Sequence, residues 1–468
     1  MFEFRREWKR VFGPAARKAA GASFQAPRDG FTGGDASLLE LLDIDMLSAE
    51  ARSADIGAGR VSTKDKGTRL IEAAVIWREV ARRTGDVAAL RKAAAQAEAA
   101  VKTLDAERRA KDAARARCEQ AACAMLGAEL FGDEGLNAAA EAVLSKARSA
   151  GAGADAQASA LIAGLDGRRA LGAGTPGAVL IAARAYDEPL AALDVQGRRS
   201  PAARLAAAEH RLTRADLLIG CAGQRAEPTL LDRAMETLDA AGAGLDPAYE
   251  PLTLARIAMA RGSAQALLGE ILFDTALMAE GVETLVQAAK DFGPEQSPLD
   301  WARGQILLGG ALQILAEATT AEHLFEQAVT AFDRALALLK NCPTLPLRAA
   351  AANNRAVCLA RCAELTGDLT VLDVAEAGLR IELVGGSPRK DPIAWAVTQM
   401  NLARLYEARA EITGRDEGRL DAAATALATA FDVFAEYGAR SMTDLAAQGL
   451  ERLRAARTDK QVQSGVKH

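Results

Sequence analysis

Two similar stretches decide the fold: "TGDVAALRKAAAQAEAAV" spans residues 84–101, and "TGDLTVLDVAEAGLRIEL" spans residues 366–383. Both open with Thr-Gly-Asp. Glycine suits the position just after a helix because it tolerates a left-handed backbone, and aspartate is a good N-cap for the next helix. Each stretch therefore predicts a tight turn followed by a helix.

The same turn recurs at a fixed interval. Phe131-Gly132-Asp133 repeats it, and Thr413-Gly414-Arg415-Asp416 is a looser copy. Gly132 lies 47 residues after Gly85, Gly414 lies 47 after Gly367, and the 282 residues between the two quoted stretches are six times 47. Self-similarity at a period of about 20–50 residues is typical of a solenoid, so the two stretches are predicted to belong to units one and seven of an array.

A series of prolines runs in step with the turns. Its members are 50, 47, 48 and 46 residues apart: Pro201, Pro251, Pro298, Pro346 and Pro392. Proline is favoured in the first turn of a helix, where its missing N–H is not needed. Each unit is therefore predicted to be a proline-led helix A, a turn and a returning helix B.

Helix B carries an apolar stripe that needs a neighbour. In the unit after Pro298 the stripe has offsets 0, 4, 7, 11 and 14: Phe325, Val329, Phe332, Leu336 and Leu339. A single helical pair cannot bury such a stripe, so the units must stack. The 468 residues exceed the ~250–300 of a single core, and only 4 % are aromatic, which favours an all-α array.

Charge and hydropathy exclude several classes of protein. The net charge of −5 supplies no basic field for nucleic acid. The opening residues, MFEFRREWKRVFG, are charged where a signal peptide needs an apolar core, and no stretch approaches ~20 apolar residues. The sequence therefore predicts a cytoplasmic location.

Two units within residues 297–434 share the pattern Pro-x-x-Trp-Ala-x-x-Gln-x-x-Leu, followed by "AVTAFDRAL" (328–336) or "AATALATAF" (423–431). On this pattern, residues 297–434 resemble the longer bacterial variety of tetratricopeptide repeat. The motif residues are Trp301, Gln305, Leu308 and Gly309 in one unit and Trp395, Gln399 and Leu402 in another. The resemblance weakens over residues 61–296, where Leu254 replaces the tryptophan, and is absent from residues 1–60. It implies a right-handed α-solenoid of antiparallel helix pairs, with helices A lining a concave groove that holds a peptide or protein partner.

The resemblance also implies which residues face the groove. They are Gln313 in one unit, Asn354 and Arg361 in the next, and Arg404 and Glu407 in the last. Asn354 beside Arg361 is of a type that binds a peptide backbone or a carboxylate through charge-assisted hydrogen bonds. The alternative is that these side chains are ordinary solvated helix residues.

Enzyme and metal sites find little support. "GAGTPG" at residues 172–177 has the spacing of a dinucleotide-binding loop, but an Ala/Arg-rich stretch precedes it where a strand is required. It is interpreted as the loop between the helices of unit three. Cys358 and Cys362 could share a metal, but two further ligands are needed, and buried packing is the preferred interpretation. No catalytic residue, metal or cofactor is predicted.

The N-terminus has an amphipathic pattern. Phe4, Trp8, Val11 and Phe12 share one helical face, opposite basic residues. Such a helix could lie on an anionic membrane, dock into a partner or cap its own solenoid. The predicted segments are this helix and a linker (1–36), an entry helix (37–60), about eight repeat units (61–457) and a disordered tail (458–468).

The first functional hypothesis is a non-enzymatic adaptor that binds a peptide or protein partner, with no nucleic acid. Two alternatives stay open: a regulatory or sensor subunit of a separately encoded effector enzyme, and a membrane-surface organiser recruited through residues 1–13. The sequence does not indicate an oligomeric state.

Overall fold

The computed structural model describes residues 36–60, 65–148, 155–290, 293–340, 345–385 and 391–465. These residues form helices joined by short turns and contain no strand, so the predicted all-α class is confirmed. A short 3-10 helix (Ala36–Leu41) and α1 (Ile44–Gly59) precede the repeats.

The described residues then form eight units, each built from a helix A and a helix B. Units one to four are α2 (Lys66–Thr84) with α3 (Val87–Ala106), α4 (Ala110–Phe131) with α5 (Glu134–Arg148), α6 (Asp155–Gly172) with α7 (Pro176–Arg184) and α8 (Asp187–Gly197), and α9 (Pro201–Arg225) with α10 (Pro228–Gly242). Units five to eight are α11 (Pro251–Leu272) with α12 (Thr275–Ala288), α13 (Pro298–Thr319) with α14 (Glu322–Leu339), α15 (Leu345–Thr366) with α16 (Leu369–Gly385), and α17 (Pro392–Thr413) with α18 (Arg419–Glu436). The last helix, α19, is Arg440–Gly465.

The predicted turns form as expected. The four glycines of the repeated turn, Gly85, Gly132, Gly367 and Gly414, have φ of 71°, 68°, 72° and 65°, which is the left-handed conformation. Asp86 caps α3 by accepting a hydrogen bond from the backbone N–H of Ala88 at 2.7 Å. The prolines at 201, 251, 298 and 392 lie in the first turns of their helices.

The same left-handed turn persists in units that lack the glycine. Ala226, Phe273 and Thr320 have φ of 50°, 57° and 52°, and they continue the 47-residue interval between Gly132 and Gly367. A residue with a Cβ pays roughly 1–2 kcal/mol in this conformation. Stacking between units therefore imposes the turn even where the local sequence opposes it.

Helices A lie on the inner side of the array. Each helix A contacts the helix A of the next unit, whereas no two consecutive helices B in the described residues pack comparably. The apolar stripes of helices B are buried between layers: Phe325, Phe332 and Leu339 are all buried. A solenoid-like stack with helices A inside follows from this packing.

The array curves until it meets itself. The helix A of unit one contacts that of unit six, and the helix A of unit two contacts that of unit seven, so one turn takes five units. The 3-10 helix also packs against α9 and α11. Contact is made where the helices A of units one and two end and those of the later units begin.

Three features bear on the predicted segments. Helix B of unit three is broken into α7 and α8, and "GAGTPG" forms the turn before α7, as the loop interpretation required. Helix α19 continues to Gly465, so helical backbone extends into the tail that was predicted to be disordered from residue 458. The amphipathic segment with Phe4, Trp8, Val11 and Phe12 lies outside the described residues.

Candidate functional site

A buried network of charges closes the superhelical turn, and we call it the seam. Arg82 at the end of α2 donates to Asp300 at the start of α13, with 2.9 Å between Nη1 and Oδ2. Glu79 accepts hydrogen bonds from Arg82 and Arg83. Arg83 is fully buried and donates to the backbone carbonyl of Leu42 at 2.7 Å. The seam thereby joins the entry segment, unit one and unit six.

The carboxylates of the seam stay ionised. Burial raises the pKa of Asp300, but the guanidinium groups of Arg82, Arg256 and Arg303 outweigh burial and hold the pKa below its usual value. Burial likewise raises the pKa of Glu79, and Arg82 and Arg83 reverse that effect, so the pKa lies well below the ordinary one. Each charge is compensated, which is the condition for burying it.

A second set of carboxylates lies along the edge of the array where the helices A of units five to eight end. Glu270, Glu317, Glu364 and Glu411 follow one another at intervals of 47 residues, and we call them the glutamate ladder. Each stands two residues before the end of a helix A, in units five to eight. We call the surface formed by these helix ends and their turns the turn edge.

The ladder occupies an electrostatically unfavourable position. The C-terminal end of a helix carries partial negative charge, so a glutamate there is repelled and a lysine or arginine would be stabilising. Glu270, Glu317 and Glu411 are also exposed, and no packing requirement explains them. Four such carboxylates in register therefore indicate a surface arranged for something other than stability.

Unit two shows what this position does where later helices pack against the turn edge. Glu129 stands two residues before the end of α4 and continues the same 47-residue register. It accepts a hydrogen bond from Arg303 of unit six and lies 3.7 Å from Arg168. Burial raises the pKa of Glu129, but Arg303 and Arg168 outweigh it and leave the pKa below the usual value. The ladder position that faces a later unit thus pairs with arginine.

The turn beside Glu129 packs against later helices. A Cβ on Gly132 would lie 3.3 Å from Asp391 Oδ2 and 3.5 Å from Pro346 Cγ, both at the starts of later helices. The equivalent residue of unit five is Phe273, which is 90 % exposed. Leu272 and Leu365 on the same edge are 53 % and 50 % exposed. The turn edge therefore combines carboxylates with exposed apolar side chains.

The two arginines predicted from the groove pattern lie among the ladder glutamates. Arg361 Nη1 donates to Glu364 at 2.5 Å, and Arg361 Nε lies 3.7 Å from Glu317. Arg404 donates to the other oxygen of Glu364 at 3.3 Å. Both guanidinium groups therefore already have carboxylate partners.

The other three predicted groove residues have different surroundings. Gln313 donates to Glu317 at 3.2 Å and accepts from the Cys358 thiol at 3.3 Å. Asn354 is half-buried, while its neighbour Asn353 is buried and donates to Thr398 Oγ1 at 3.2 Å. Glu407 lies 3.8 Å from Arg452 of α19. The structure thus brings Gln313, Arg361 and Arg404 together around the ladder; a role in partner binding stays a prediction.

Negative charge is in excess at this surface. Five carboxylates (Glu270, Glu317, Glu364, Glu407 and Glu411) face three guanidinium groups (Arg361, Arg404 and Arg452). Burial and the charge of Glu317 both raise the pKa of Glu270. Among the described residues Glu270 and Glu411, at the two ends of the ladder, have no ion-pair partner.

The remaining sequence interpretations concern cysteines and membranes. Cys358 and Cys362 are buried and unlinked, so the packing interpretation is confirmed, whereas Cys342 lies outside the described residues. No three His, Cys, Asp or Glu residues in the described ranges are grouped as a metal site. Within those ranges, no helix combines the length and apolar character needed to cross a bilayer.

No protein-family model matches the chain, and no curated protein matches it significantly. Among solved structures, 34 chains match. One of them, described as "Circular tandem repeat protein with novel repeat topology and enhanced subunit contact surfaces", is 14 % identical over 92 % of this chain and 99 % of that chain, with a TM-score of 0.27.

Proposed function

We propose that this chain is a non-enzymatic scaffold that binds a basic, extended segment of a protein partner along the turn edge of units five to eight. The observation that carries the proposal is internal to the molecule. Glu129 accepts a hydrogen bond from Arg303 of unit six, whereas the carboxylate of the equivalent Glu270 has no ion-pair partner among the described residues. An incoming lysine or arginine would complete the same contact.

The spacing of the ladder favours an extended peptide. Consecutive helices A are in contact, and contacting helices have axes about 8–10 Å apart. In the extended polyproline II conformation a chain has three residues per turn and advances about 3.1 Å per residue, so side chains three positions apart lie on the same face, about 9 Å from one another. A segment with a basic residue at every third position would therefore meet successive rungs of the ladder.

The exposed apolar residues supply a second point of recognition. Phe273 follows Glu270 by three residues and Leu272 stands between them on the same helix end. Aromatic side chains are frequent anchors of protein interfaces, whereas exposed charges mainly set orientation and specificity. The proposed ligand therefore carries an apolar residue beside its basic ones.

The array itself is proposed to be tetratricopeptide-like and of the longer variety. Support comes from the 47-residue period, the proline at the start of helix A and the placement of helices A on the inner side. The adaptor role belongs to this proposal, because stacked repeats present an extended surface with no need of a catalytic centre.

A register-dependent peptide tests the proposal. The probe is a fluorescein-labelled dodecapeptide with lysine at every third position, one leucine and otherwise serine and threonine; its control has the same composition with the lysines in one block. We expect the spaced peptide to bind more tightly, and its affinity to fall with added salt. Equal affinity for the two peptides would contradict the spacing argument.

Matched variants test the residues. Glu270→Gln with Glu411→Gln should weaken binding about two- to thirtyfold, since each exposed ion pair contributes ~0.2–1 kcal/mol. Glu283→Gln with Glu436→Gln removes two exposed carboxylates from helices B and should leave affinity unchanged. Arg361→Gln with Arg404→Gln frees Glu317 and Glu364 and should tighten binding. Loss of affinity in this last variant would instead support carboxylate binding by the two arginines.

A further inference from the structure

The break in helix B of unit three creates a cavity on the outer side of the array. Helix α7 packs mainly on α6, whereas α8 packs mainly on α9. Tyr186 lies at the break, is fully buried, and its ring lies 6.2 Å from that of His210, measured between centroids. The two half-helices therefore pack on different neighbouring helices. A cavity of about 530 Å³ lies between them and helices α9 and α10.

The cavity has the size of a small-molecule site, and part of its lining is apolar. Its volume lies within the roughly 300–1,000 Å³ typical of ligand pockets. Leucine and alanine side chains from four helices line it: Leu180, Ala183, Leu190, Ala191, Leu218 and Ala240. Such a lining stabilises the apolar body of a ligand but does not select its charge.

Arginine dominates the polar part of the lining. Four arginines, Arg184, Arg211, Arg214 and Arg233, face three carboxylates, Asp187, Asp194 and Glu236. The cavity is therefore locally positive in a chain whose net charge is −5. A local excess of guanidinium groups attracts an anion.

Two of these arginines are already neutralised. Arg211 donates to Asp194 at 2.6 Å, and Arg214 lies 2.9 Å from Asp187. Within the described residues, the guanidinium groups of Arg184 and Arg233 form no ion pair or hydrogen bond, although Glu236 lies one helical turn from Arg233; the backbone carbonyl of Arg233 accepts from the Thr237 hydroxyl. Two planar donors with unused hydrogen-bonding capacity thus line one cavity.

We propose that this cavity binds a small organic anion, whose acidic group is held by Arg184 and Arg233 and whose apolar body contacts the leucine and alanine lining. The site lies on helices α7 to α10 and is separate from the glutamate ladder, which selects the opposite charge. A ligand bound here would hold the broken helix B of unit three against unit four.

The test uses 8-anilino-1-naphthalenesulfonate, an organic anion whose fluorescence rises when it is desolvated. We expect saturable binding with one probe per chain. Arg184→Glu with Arg233→Glu should weaken binding at least tenfold, because it replaces both free donors with like charges; both residues are exposed, so folding should be retained. Arg198→Glu with Arg199→Glu makes the same charge change on exposed residues outside the cavity and should alter affinity less than twofold.

An uncharged probe separates charge recognition from apolar binding. N-phenyl-1-naphthylamine has a similar apolar body without the sulfonate, and its affinity should be equal in the wild type and in the Arg184/Arg233 variant. Equal binding of the sulfonate to the cavity and control variants would overturn the proposal. So would absence of saturable sulfonate binding to the wild type.

Discussion

Phe273 offers a test in which stability and binding should change in opposite directions. Its backbone is left-handed, with φ of 57°, and its side chain is 90 % exposed. Four other units place glycine at the equivalent turn position. Phe273→Gly should therefore relieve strain and remove little apolar burial.

The size of the change follows from these two facts. The left-handed conformation costs a residue with a Cβ roughly 1–2 kcal/mol, and replacing that residue by glycine removes this strain. Glycine also gives the unfolded chain more conformational freedom, which destabilises the fold by about 0.5–1 kcal/mol. We expect a net stabilisation of about 0.5–1 kcal/mol, measured by urea denaturation. Thr320→Gly changes the same turn position of unit six and should stabilise by a similar amount.

Binding should distinguish the two variants. With the lysine-spaced peptide as probe, Phe273→Gly should cost about 1–2 kcal/mol of affinity, roughly five- to thirtyfold, because an interface anchor is lost. Thr320→Gly should have no such effect. Equal affinities for the two variants would refute the role of Phe273 as an anchor, and destabilisation by Phe273→Gly would refute the strain argument.

Two further predictions concern the seam and the packing of unit six. Arg82→Met should destabilise the fold by about 3–5 kcal/mol, because Asp300 is fully buried and loses a partner at 2.9 Å. Asp300→Asn should destabilise it less, because Arg82 keeps Glu79 as a second carboxylate partner. Urea denaturation of the two variants compares the losses. Folding lowers the pKa of Asp300, so its ion pair contributes its full stability above the ordinary pKa of ~3.9 and loses that contribution as the pH falls further. Thermal unfolding followed by circular dichroism should therefore show lower stability at pH 3 than at pH 6. In α13, Gly309→Ala should destabilise the fold by about 1–3 kcal/mol, because the new Cβ would lie 2.7 Å from the Phe332 ring. At the next position, the Cβ of Gly310→Ala would meet nothing within 4 Å, so this change should stabilise the fold by about 0.5–1 kcal/mol. A stabilising Gly309→Ala would show that α14 can move away from α13.

Part of the candidate site could be read from spacing. The glutamate ladder repeats at the same 47 residues as the turns, yet the groove pattern pointed to Arg361 and Arg404 instead. Glutamate is common on helix surfaces, so its periodicity has little weight until the helix ends are located. The arginine pattern pointed to the right helices but not to the excess of negative charge around them.

The sequence by itself determined the secondary structure and the length of the repeat unit. Capping and helical periodicity act over a few residues, so Gly85, Gly367 and the proline series were sufficient to predict helix pairs of 47 residues and an all-α array. Local physics also assigned "GAGTPG" to a turn, because no strand precedes it.

Only the tertiary structure decided how the units close and which surfaces remain open. Arg82 and Asp300 are 218 residues apart, and nothing in either neighbourhood indicates that five units complete a turn. The left-handed turns at Ala226, Phe273 and Thr320 run against local preference and exist because stacking energy outweighs roughly 1–2 kcal/mol of backbone strain. The same closure pairs Glu129 with Arg303 and leaves Glu270 without an ion-pair partner among the described residues. Two equivalent repeat positions differ in this way because their contacts come from residues distant in the chain.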